Sequence, residues 1–328
     1  MPKFKLKMAG AAAVLAMVCL RANAAGPVLP PDAIGADTVM VMHADSSTFT
    51  PDGVRKAATA VLGPNAAQGN QGLAKFEEKY NAVLKAGGQS VTMIQGDKPK
   101  AAAGAPEAGP GANSQGVVYI QLKPGADVDA IQKAISDEMQ PTERENAVFE
   151  KKGDFLMMHK KGEAPPVAAD ATRAKVFSDA LSSVSDAGLQ IAVVPNQAAR
   201  DEIKKGAATA PKELRDAVPV LANSKWVTIA VKLGNAPAAT ATANTADAES
   251  AQKLADGMNA FVANMKQAAA NPNGQAAGPE AMIAMMIAPL ADSLKPTTDG
   301  TNVSVTITGK AVSGVAQMFM GAQGGGPQ

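Results

Sequence analysis

Hydrophobic positions along this chain fall into two rhythms. The cleanest two-residue rhythm lies at 226–233, where Val227, Ile229, Val231 and Leu233 alternate with Trp226, Thr228, Ala230 and Lys232. Period two marks a strand with one buried face. Ala239, Ala241 and Ala243 alternate with Thr240, Thr242 and Asn244, which predicts a partner strand with an unusually small inner face. The rhythm then slows: Leu254, Met258, Phe261, Val262 and Met265 recur at helical spacing and predict an amphipathic helix. Asp299-Gly300 predicts a turn into a strand on which Val303, Val305 and Ile307 alternate with Ser304, Thr306 and Thr308.

A looser version of the same run stands about 120 residues earlier. Val91–Ile94 and Val117–Leu122 read as strands, and Asp127 caps a helix with Val128, Ile131 and Ile135 on one side. Upstream, Thr38–His43 is a short apolar strand. Two helices follow it, Pro51–Leu62 and a second carrying Leu73, Phe76, Tyr80, Val83 and Leu84. Ala147–Glu150 and Phe155–His159 flank a Gly-containing hairpin turn. Ala174–Val184 reads as a linking helix and Leu189–Val194 as a strand, followed by helices at Gln197–Lys205 and Lys212–Leu221.

By element type both halves run strand, helices, strand, strand, helix, strand. The expected fold is therefore α+β: two ferredoxin-like β-α-β-β-α-β modules, each an antiparallel sheet with helices packed on one face. The modules are expected at 38–161 and 173–320, joined by a Pro-rich linker at 162–172. Residues 96–116 and 267–279 lack any hydrophobic period and read as flexible insertions, 25–37 as a disordered leader, and 321–328 as a frayed tail.

Composition changes this picture at the N-terminus first. Lys3, Lys5 and Lys7 precede an apolar run from Met8 to Leu20, and Ala22-Asn23-Ala24 supplies small residues at the positions a signal peptidase reads. Residues 1–24 are expected to be a signal peptide cleaved after Ala24, which predicts a secreted or periplasmic protein with no remaining transmembrane segment. Cleavage removes Cys19, the only cysteine, so neither a disulfide nor a cysteine metal site is expected. It also removes four of 31 basic residues and none of 30 acids, moving the formal charge from +1 to −3. That balance offers no electrostatic footprint for nucleic acid. Aromatics are only 3% of the chain, which predicts thin packing by Ala, Val and Met.

Candidate chemistry is sparse. His43 and His159 are the only histidines. His43-Ala44-Asp45 reads more naturally as a strand end with a capping Asp than as a metal site, since zinc wants three or four converging ligands. Ser250-Ala251-Gln252-Lys253 has the S-x-x-K spacing of serine acyl enzymes, without their companion motifs. Methionine is the least ordinary feature: three of sixteen leave with the signal, and the rest include Met40-x-Met42, Met157-Met158-His159, Met282-x-x-Met285-Met286 and Met318-x-Met320. Thioethers are soft ligands for Cu(I), yet Met282, Met285 and Met286 also fit a helical core stripe. The expectation is a non-enzymatic binding or scaffolding protein of the cell envelope, without cofactor, for a protein or small-molecule partner. A copper binder using the Met clusters with His43 or His159 comes second, and a serine-lysine hydrolase third.

Overall fold

A computed structural model describes residues 29–30, 32–63, 70–97, 114–162, 169–270, 290–291, 293–311 and 313. The expected signal segment, most of both expected insertions, residues 271–289, the tail, and with them Met282, Met285, Met286, Met318 and Met320 lie outside the described residues. The fold is mixed α+β, with ten strands and eight helices among the described residues. Two compact units divide it. One comprises the chain up to Arg55 together with Gln68–Ala192; the other comprises Lys56–Ala67 and everything from Val193. The compositional break at 162–172 falls within the first unit.

From β1 (Thr38–Asp45) in the first unit the chain runs through α1 (Pro51–Leu62), which belongs to the second unit from Lys56 on, and back through α2 (Asn70–Lys85) to β2 (Gly88–Asp97) and β3 (Ser114–Leu122) of the first. Helices α3 (Val128–Ser136) and α4 (Pro141–Asn146) precede the hairpin β4 (Ala147–Lys152) and β5 (Phe155–Lys160). Helix α5 (Ala171–Ser182) and β6 (Leu189–Val193) complete it, and the strand order is β4-β5-β3-β2-β1-β6.

β1 and β2 are antiparallel neighbours. This corrects the ferredoxin-like expectation, in which a single crossover helix makes the flanking strands parallel, with another strand between them. Two helices separate β1 from β2 here. Each reverses the chain once, so the second strand returns antiparallel beside the first.

Local chemistry accounts for the element ends. Gly63 closes α1 at a φ of 58°, and Asp127 caps α3 by accepting from the Ala130 amide at 3.0 Å. Gly153 turns the β4–β5 hairpin at a φ of 61°. β2 and β3 run further than their apolar cores suggest: Gly96↔Gln115 and Asp97↔Ser114 still pair, so the low-complexity insertion narrows to 98–113.

Register sorts the side chains of this sheet. Ala44, Val91, Ile120 and Leu156 share one row, and Val91, Ile120 and Leu156 pack in one cluster with Val83 of α2 and with Ile131 and Ile135 of α3. The opposite face is buried as well, by Val41, Ile94, Tyr119 and Met157. Burial on both faces departs from the expected one-sided sheet, and it matches strands that are apolar at consecutive positions, such as Val117–Ile120.

The second unit contains α6 (Gln197–Gly206) and α7 (Ala217–Ala222), then β7 (Trp226–Lys232), β8 (Ala238–Asn244), α8 (Ala248–Ala270), β9 (Thr297–Asp299) and β10 (Asn302–Thr308). Its strand order is β7-β8-β10-β9. Helix α7 is shorter than the periodicity at 212–221 predicts, because residues 211–216 form turns. The small inner face of β8 is real: Ala243 sits between Val227 and Val303 and packs with Leu254 and Ala255 of α8. The outer face carries a hydrogen-bonded ladder, with Thr240 to Thr306 at 2.9 Å and Thr242 to Ser304 at 2.8 Å.

Candidate functional site

A row across the first sheet floors one of the cavities of that unit. Met42 pairs with Met93, Met93 with Val118, Val118 with Met158, and Met158 with Phe149. Side chains alternate along a strand, so Gly116 and Lys160, two residues from Val118 and Met158, lie on that same face. Over this part of the sheet passes the segment from Met139 through α4, and α4 buries none of its six residues. The gap between them is a cavity of about 510 Å³, within the usual range for small-molecule sites.

The cavity lining is segregated. Met93, Val118, Met139 and Met158 form an apolar floor, and Thr142, Glu143, Asn146, His159 and Lys160 bring polar groups to the rim. Two of the polar groups are tied down within the chain. Glu143 Oε2 accepts from the Gln140 amide at 3.2 Å in a capping box, and Asn146 Nδ2 donates to the Thr142 carbonyl at 2.7 Å. No ion pair engages the Lys160 ammonium among the described residues, and the side chain is exposed.

Gly116 adds a second observation. A Cβ built there meets nothing within 4 Å, so no neighbour forces glycine on this strand position. Glycine inside a strand costs roughly 0.5–1 kcal/mol against alanine. Gly116 lines the cavity, and the space beside it is open.

The residues singled out from sequence are placed as follows. His43 is 2% exposed, and its Nδ1 lies 2.9 Å from Thr92 Oγ1. Burial pulls its pKa down to about 4, with the Asp45 carboxylate opposing weakly, so the ring is neutral at pH 7. Asp45 accepts from the Ser47 amide at 2.7 Å, which is turn chemistry.

His159 Nδ1 donates to the Lys160 carbonyl at 3.0 Å. Its Nε2 is buried without a hydrogen bond, and the nearest carboxylate oxygen, Glu150 Oε1, is at 3.5 Å. Met158 and His159 both line the cavity, while Met157 points to the opposite face of the strand, so the run Met157-Met158-His159 does not converge as a whole. Met157 is a core residue at 2% exposure. Among the described residues no three His, Cys, Asp or Glu side chains gather as a metal-ligand set.

Ser250 and Lys253 line one cleft of about 220 Å³ in the second unit, with Asp216 and Asn223. Asp247 accepts from the Ser250 amide at 2.7 Å, and it is held below the usual carboxylate range by that bond and by the Ser250 hydroxyl. The hydroxyl is thus engaged by a carboxylate at the helix start. A separate apolar cavity of about 280 Å³ lies under α8, lined by Leu214, Leu221, Val227, Leu254 and Met258.

Sequence reasoning missed Met93, Met139, Gly116 and Lys160. Met93 and Met158 are distant in sequence and meet only through their shared partner Val118, while Gly116 reads as the last residue of an insertion. No helix among the described residues is long and apolar enough to cross a membrane. Comparison with known proteins yields no matching family model, no matching curated protein and no matching solved structure.

Proposed function

We propose that this chain is an exported, non-enzymatic binding protein of the cell envelope, with its ligand held in the cavity between the first sheet and α4. The observation that carries the reading is the lining, an adaptable methionine floor beneath a polar rim at a volume suited to a small molecule. Export rests on the N-terminal basic, apolar and small-residue sequence.

The same proposal takes the chain as one folding unit used twice. Its support is the shared element order: a strand, two helices, a hairpin, helix, and a second hairpin whose later strand joins the first, as β2-β3-β5-β4 and as β7-β8-β10-β9.

A saturable one-to-one site for an apolar fluorescent probe such as anilinonaphthalene sulfonate is expected, and Gly116→Leu should abolish it without unfolding the protein. No saturable site, or one indifferent to Gly116→Leu, would end the reading. A copper-binding role is the second reading, favoured by three thioethers (Met93, Met139 and Met158) on one cavity. Tight Cu(I) uptake lost in Met93→Leu and Met158→Leu would move the assignment there. Labelling by an activated phosphonate that disappears in Ser250→Ala would instead favour a serine-lysine hydrolase.

A further inference from the structure

We infer that the cavity ligand is an amphiphile with one anionic head, of the fatty-acid class, its chain lying on Met93, Val118, Met139 and Met158 and its carboxylate at the Lys160 ammonium. This rests on the cavity being the binding site. The chemistry of the lining selects the class.

A floor of one valine and three thioethers offers dispersion contacts and no hydrogen bonds, so the part it covers is apolar and need not be rigid. A sugar would call for a broad aromatic platform and a ring of polar groups, and no Phe, Tyr or Trp lines the cavity. A nucleotide or other polyanion would call for several cations, and the lining supplies one lysine and no arginine beside the His159 imidazole. A bare metal ion leaves a volume of about 510 Å³ largely unused.

Charge completes the argument. Three ionisable residues line the cavity, Glu143, His159 and Lys160, and they are not equivalent: the His159 ring donates from Nδ1 to the Lys160 carbonyl and sets Nε2 3.5 Å from Glu150 Oε1. The Glu143 carboxylate is bonded to the Gln140 amide at the start of α4, while Lys160 has no ion pair among the described residues. The uncommitted charge is the cation, and it lies on the same sheet face as the floor, two residues from Met158. An elongated apolar body ending in one carboxylate satisfies both. Gly116, on that face two residues from Val118, leaves open space that a leucine side chain would enter.

The test is calorimetric titration of the purified protein with dodecanoate below its critical micelle concentration and with dodecanol below its solubility limit. Dodecanoate should bind one-to-one and about tenfold tighter than dodecanol, the size of one charge-assisted hydrogen bond. Lys160→Gln should erase that difference, and Gly116→Leu should abolish binding of both with the melting temperature preserved. Gly116→Ala, which adds one methyl, serves as the folding control.

Equal affinity for the acid and the alcohol in the parent protein overturns the anionic head and leaves the cavity as a site. Failure of both ligands, while the fluorescent probe still binds and is lost in Gly116→Leu, overturns the amphiphile but not the site. Failure of the amphiphiles and the probe together overturns both.

Discussion

Acidification should weaken this protein through one side chain, His43. Its ring is buried in the first sheet, bonded to Thr92, with a pKa near 4 against 6.5 for an unhindered histidine. The sign follows from proton counting. Between pH 6.5 and 4 the unfolded chain binds a proton at this position and the folded chain does not, so falling pH favours unfolding. The stability is complete above 6.5, is lost progressively down to 4, and changes no further from this cause below that. A gap of 2.5 units from those values corresponds to about 3 kcal/mol in full, and to about 2 kcal/mol by pH 5. The assay is urea unfolding at pH 7.5 and pH 5 for the parent and for His43→Gln, which keeps a polar group near Thr92 and cannot titrate. Carboxylates elsewhere affect both proteins alike, so the difference between their pH-induced losses isolates His43. The parent should lose about 2 kcal/mol more than the variant. Equal losses would refute a neutral, buried ring.

Three further outcomes follow from the packing. Ile131, fully buried where α3 meets the sheet, should cost about 2–5 kcal/mol when cut to alanine, read as a lower urea midpoint with an unchanged slope. Two glycines should behave oppositely. Gly87→Ala places a Cβ 2.7 Å from Ala126 Cβ at a φ of 101° and should cost more than about 1 kcal/mol, whereas Gly116→Ala should be neutral or stabilising by about 0.5–1 kcal/mol. Burial pushes Tyr119 up to about 12, so alkaline absorbance titration of the folded protein should show a late component that Tyr119→Phe removes.

The elements were legible in the sequence where alternation was strict. Val303, Val305 and Ile307 read as a strand and are one, Asp127 reads as a cap and is one, and the hairpin at Lys151–Asp154 turns on Gly153 as expected. Strand order was not legible. Whether β1 and β2 come back parallel or antiparallel depends on the number of helices between them, a count that hydrophobic periodicity does not convert into direction. The cavity was hidden for a related reason. Clusters adjacent in sequence, such as Met157-Met158, point to opposite faces, while Met93 and Met158 meet through pairing to a common strand. Lys160 looks like any surface lysine until Glu143 is seen to be engaged by the helix cap. His43 is buried with Asp45 beside it in a turn, and that burial comes from tertiary packing that the local sequence does not carry.

The account turns on what touches the methionines that line the first-unit cavity. Methyl-labelled methionine resonances should be followed by NMR while dodecanoate is titrated. The methyls of Met93, Met139 and Met158 should shift together and saturate at one equivalent, with those of Met258 and Met265 in α8 unmoved. Shifts confined to Met258, or no saturable shift at any of the three, would contradict it.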